Sequence, residues 1–152
     1  MKKTIIFLGC SELQIPAIKW AKDSGLLVIL CDINSNSPGK EFADEFINIG
    51  GDNIEELAEL AIQKSKEFDI LSAYCGSDFG LRSVAKINKV LNLKCLPEEV
   101  VEASLNKAKT KEILINKKIA TPKGIVLKEF DTFKNDIELP LVVKPLDGSG
   151  SR

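Results

Sequence analysis

Short apolar runs alternate with amphipathic stretches along most of the chain. Residues 4–8, 26–31 and 68–74 are apolar with little alternation, the pattern of strands buried on both faces. Residues 42–49 contain a further short strand, broken by Gly50 and Gly51. Between these runs the apolar residues recur at helical spacing. Ala17, Ile18 and Ala21 form one stripe, which Gly25 ends. Ile54, Leu57, Ala58, Ala61 and Ile62 form a second, and Leu81, Val84, Ala85, Asn88 and Leu91 a third. Strands alternating with helices predict an α/β fold, a Rossmann-like parallel sheet flanked by helices.

Punctuation sets the expected boundaries. Ser11 and Gln14 have the spacing of a capping box, but Pro16 tolerates only a first turn, so the first helix should begin a residue or two after Ser11. Asp52, with Glu55 behind it, should cap the second helix. Gly76, Ser77 and Asp78 open the third. Asn34 to Gly39 is a polar loop, and Pro97 starts a short helix. A helix bearing Lys107, Lys109 and Lys111 should end at 119–122, where Pro122 pushes its predecessor out of helical geometry. Residues 125–127 should then begin a second sheet. A polar, partly helical connection at 129–138 should lead to a central strand at 141–144.

Composition narrows the class. The 152 residues are 44% apolar and 28% charged, neither disordered nor membranous in balance. A net charge of −1 argues against a nucleic-acid partner. No apolar run approaches a membrane span, so no membrane partner and a cytoplasmic setting are expected. Cys10, Cys31, Cys75 and Cys95 are widely spaced and the chain has no histidine. That excludes Ser-His and Cys-His catalysis within it, offers no metal site and makes small buried hydrophobes of the cysteines.

Few residues remain for chemistry. Asp32 closes the second strand of a strand–glycine–helix–strand unit, where a dinucleotide fold would bind ribose. Gly9 is followed by Cys10, Ser11 and Glu12 rather than further glycines, so that fingerprint fails. Asp32 is then either a solvated turn residue or a substrate contact. Ser77 and Asp78 also follow a parallel strand, and Asp78 could equally cap its helix. Lys144 sits in an apolar run and runs into Gly148, Ser149, Gly150, Ser151 and Arg152. A lysine there needs an anionic partner, a carboxylate or a phosphate. A glycine-serine loop can turn its amides toward phosphate, with Ser151 and Arg152 adding donors.

Four segments then occur in order: Asn106-Lys107, Ile119-Ala-Thr-Pro122, Leu139-Pro-Leu-Val-Val-Lys144-Pro and Gly148-Ser-Gly-Ser-Arg152. Together they resemble the start of an ATP-grasp domain, and the preceding hundred or so residues resemble its Rossmann-like pre-ATP-grasp domain. The resemblance implies residues 1–103 as the pre-ATP-grasp domain and 104–152 as the truncated start of an α+β ATP-grasp domain. It implies an ATP-dependent carboxylate ligase working through an acyl phosphate, carbamoyl-phosphate-synthase-like. Lys107 and Lys144 would meet the ATP phosphates, together with the loop from Gly148 to Arg152. Asp32, Ser77 and Asp78 would lie near the substrate. ATP, magnesium (its ligands outside this chain), a small carboxylate and a possible homo-oligomer are the expected partners. The chain alone should be an inactive fragment of a longer protein. The alternative is a non-catalytic Rossmann-like module that binds a small molecule or nucleotide.

Overall fold

The computed structural model describes residues 1–127 and 140–147. The chain divides into two compact units, Met1–Val101 and Glu102–Arg152.

The first unit is a parallel sheet between helices. In chain order it holds β1 (Lys3–Leu8), α1 (Ile15–Asp23), β2 (Leu27–Cys31), β3 (Glu45–Ile47), α2 (Ile54–Lys64), β4 (Asp69–Tyr74) and α3 (Leu81–Val90). The sheet order is β3-β2-β1-β4, every pair parallel. β1 is therefore central, and alternate residues enter different cores. Ile6 and Leu8 pack with Leu57, Ala61 and Ile87 of α2 and α3. Phe7 packs with Ile18 and Ala21 of α1 and with Val28 and Leu30 of β2. Burying each such side chain contributes about 1.5–3 kcal/mol.

Helix ends follow the backbone more than the caps read from sequence. α1 begins at Ile15, after a 3₁₀ turn at Glu12–Gln14, and the Ser11 side chain caps nothing. The cap residue of α2 is Asn53, not Asp52. At the far end of α1, Gly25 has φ +79, with its N–H on Lys22 O at 2.9 Å and the Leu26 N–H on Ala21 O at 3.1 Å. This is a Schellman stop. Asn92 and Lys118, at φ 54 and 57, end α3 and a later helix in the same way.

α4 (Glu98–Leu105) runs across the division between the units, and α5 (Lys107–Asn116) belongs to the second. Lys118, rather than Pro122, stops α5, with the Ile119 N–H on Leu114 O at 2.8 Å. No strand forms at 125–127 or 141–144; Val142 and Val143 are 78% and 73% exposed. A strand is central only when neighbours pair with both edges. Among the described residues of this unit, pairing is limited to one antiparallel bridge, Asn106 to Asp147. The Lys111 ammonium instead holds the segment after α5, donating to Pro122 O and, at 3.5 Å, to Thr121 Oγ1. The expected partly helical connection at 129–138 lies outside the described residues.

A Cβ at Gly25 would meet no atom within 4 Å, so Gly25→Ala should cost only the left-handed backbone penalty, about 1–2 kcal/mol. At Gly9, φ +85, a Cβ would come within 2.5 Å of Gln14 Nε2, so Gly9→Ala should cost more. Urea unfolding of both variants checks the order, and equal costs would contradict it.

Candidate functional site

Strand order places the first candidate region. The chain lays β1, β2 and β3 in one direction and returns to add β4 on the other side of β1. The reversal leaves a switch point between the carboxyl ends of β1 and β4, where open α/β sheets bind ligands. Here that crevice is filled from within. The buried Gln14 carboxamide donates to Leu8 O at 3.1 Å and accepts from the Gly76 N–H at 3.1 Å. The Phe79 ring lies over Gly9 and Gly51. Pro16 near the start of α1 offers no N–H. These features explain physically why the unit lacks a dinucleotide cradle, a role for Gln14 that its capping-box spacing concealed.

Asp32 is a structural residue at the end of β2. Oδ2 accepts from the Cys10 N–H at 2.9 Å, the Cys10 thiol at 3.4 Å and Ser37 Oγ at 2.8 Å; Oδ1 accepts from the Asn34 N–H at 2.8 Å. Burial pushes its pKa up, but these hydrogen bonds outweigh burial and hold it below the ordinary carboxylate value. It is neither a solvated turn residue nor an unengaged acceptor. Ser77 is half-buried and Asp78 exposed after β4, on the other side of β1 from Asp32. Gly80, not Asp78, occupies the cap position of α3.

Cys10, Cys31 and Cys75 are buried and Cys95 is exposed. Burial pushes the thiol pKa of Cys10 to about 11 and of Cys31 to about 12, and raises that of Cys75. None of these three is a nucleophile at neutral pH. Among the described residues no group of three or more His, Cys, Asp or Glu could hold a metal ion, and no helix is long and apolar enough to cross a membrane.

The second region lies within the second unit. Asn106 is extended, at φ −113 and ψ 111, and its Oδ1 accepts from Ala108 N and Lys109 N, both at 3.0 Å. Lys107 is thereby the first residue of α5, its side chain exposed. The Lys107 N–H donates to Leu146 O at 3.1 Å, and Asn106 bridges Asp147. Two sequence segments forty residues apart, Asn106-Lys107 and the lead-in to Gly148, thus meet. Lys144 is exposed rather than buried in a central strand, and among the described residues it forms no ion pair. Gly148, Ser149, Gly150, Ser151 and Arg152 lie outside the described residues.

No family model and no curated protein matches the chain. Solved structures do. An L-amino acid ligase from Bacillus licheniformis is 25% identical with a TM-score of 0.73, over 97% of this chain and 38% of its own. A phosphoribosylglycinamide synthetase from Anaerococcus prevotii is 27% identical with a TM-score of 0.70, over 85% of this chain and 32% of its own. The biotin carboxylase domain of the Hydrogenobacter thermophilus 2-oxoglutarate carboxylase, at 21% identity and TM-score 0.66, shares the fold over 86% of this chain and 31% of its own. The chain spans about a third of the length of these structures. It is similar to the N-terminal region of ATP-grasp ligases, as its ordered motifs implied.

Two outcomes are expected. Iodoacetamide should modify one thiol, Cys95, in the folded protein and four after unfolding, read by mass spectrometry. Asp32 has a lowered folded-state pKa, so its stabilisation is present above the ordinary value and is lost as pH falls through the folded one. Asp32→Asn should therefore flatten the loss of stability below about pH 4; an unchanged acid limb would contradict this.

Proposed function

We propose that the chain is the N-terminal part of an ATP-dependent carboxylate ligase. The substrate carboxylate attacks the γ-phosphorus of ATP, ADP leaves, and an acyl phosphate forms. An amine nitrogen then attacks the acyl carbon, phosphate departs, and the nitrogen loses a proton. The likeness to a synthetase and an amino acid ligase at 25–27% identity supports the class. The run Leu139-Pro-Leu-Val-Val-Lys144-Pro is the basis for a carbamoyl-phosphate-synthase-like member within it. Residues 1–103 would serve as the pre-ATP-grasp domain and residues 104–152 as the start of the ATP-grasp domain, in a cytoplasmic enzyme that forms a homo-oligomer.

The observation that carries this reading is the meeting of Asn106 with Asp147 and of Lys107 with Leu146, directly before Gly148 in the sequence. Lys107 and Lys144 present exposed ammonium groups, and phosphoryl transfer relies on such groups to position and neutralise the phosphates. Gly148, Ser149, Gly150, Ser151 and Arg152 would add amides and side-chain donors. Magnesium fits the class, and the 2-oxoglutarate carboxylase domain was solved with MgADP. The described residues offer no donor set for the ion, so its ligands would come from elsewhere and no step is drawn through it. Asp32, Ser77 and Asp78 would lie near the substrate, Asp32 with its carboxylate oriented by Cys10, Asn34 and Ser37.

In the full-length protein, Lys107→Met and Lys144→Met should each weaken ATP binding roughly tenfold or more, the value of a charge-assisted contact. Residues 1–152 alone should turn over no ATP. Unchanged affinity in both variants would favour the alternative, a Rossmann-like module that binds a small molecule without catalysis.

A further inference from the structure

The first turn of α5 leaves no backbone amide for an anion. Ala108 N and Lys109 N donate to Asn106 Oδ1, Lys107 N to Leu146 O at 3.1 Å, and Asn106 N to Glu102 O at 3.1 Å. These are the four donors that a helix start ordinarily leaves open. An anion at this place must therefore be met by side-chain charge, and the backbone that carries Lys107 decides where that charge points.

One residue sets that backbone. Through its side chain Asn106 closes the turn of α5 that begins at Lys107. Through its main chain it bridges Asp147, on the segment that Lys107 N–H also holds at Leu146. We propose that Asn106 is a positioning residue for phosphate binding, fixing Lys107 and the 146–147 segment in one register while touching no phosphate itself. The inference rests on the phosphate role of Lys107 given above and adds the residue on which its aim depends.

Alanine at 106 keeps the chain but cannot accept from Ala108 and Lys109, so the first turn frays and Lys107 loses its fixed origin. Serine is an equivalent cap, and glycine lacks the acceptor while costing the helix little. The test titrates MgATP into full-length wild type, Asn106→Ala, Asn106→Ser, Asn106→Gly and Lys107→Met, well below their melting temperatures. Asn106→Ala should bind MgATP about fivefold more weakly, the factor of a lost N-cap, Asn106→Gly should also bind more weakly than wild type but by a smaller factor, and Asn106→Ser should bind as wild type. Glycine keeps the test open should the alanine variant fail to fold. If alanine and glycine lower only the melting temperature while MgATP binds as before, and Lys107→Met still weakens binding, Asn106 is merely structural and the inference is wrong. If Lys107→Met also binds MgATP normally, the phosphate reading itself fails and takes this inference with it.

Discussion

The carboxyl end of β1 is where the first unit is decided. A central strand that stops inside a protein leaves backbone groups that water cannot reach, and each must find a partner. Here each does. Leu8 O accepts from Gln14, Gly9 N donates to Cys31 O at 2.7 Å, Cys10 N donates to Asp32, and Cys10 O accepts from Gly39 N at 2.8 Å. The partners come from the start of α1, the end of β2 and the loop beyond it. Satisfying three residues thus fixes how helix, strand and loop meet. Gly39 is needed for the same reason, since a Cβ there would come within 2.6 Å of Cys10 O.

This closure has a functional consequence. The Gln14 carboxamide and the Phe79 ring occupy the switch point that many α/β folds reserve for a ligand. Asp32, the acid that would face a ribose, accepts hydrogen bonds from Cys10, Asn34 and Ser37. The first unit reads as a scaffold with a closed switch point. Exposed cationic groups next to a loop lead-in occur instead in the second unit, at Lys107 and Lys144.

The sequence pattern located all four strands of the first unit, but only β1 and β2 are buried on both faces; the outer strands β3 and β4 are partly exposed, so 68–74 is less buried than its apolar run implied. Gln14 was legible only as a helix cap. Its actual partners include Gly76, sixty-two residues away, and nothing local announces such a contact. The runs at 125–127 and 141–144 have strand composition, yet a strand is a relation between segments, and composition carries no record of the partner. Lys118 stops α5 in a left-handed conformation that favours glycine or asparagine, so no sequence signal marked it. Asn106 and Lys107 drew notice through resemblance; their hydrogen bonds supply the physical reason for the pairing.

The most direct measurement is a crystal structure of the full-length protein with a non-hydrolysable ATP analogue and magnesium. The account predicts phosphate oxygens within about 4 Å of Lys107 Nζ, the reach of an ion pair, and the Gln14 bridge to Leu8 and Gly76 intact. A nucleotide lodged instead between the carboxyl ends of β1 and β4, with Gln14 displaced, would contradict it.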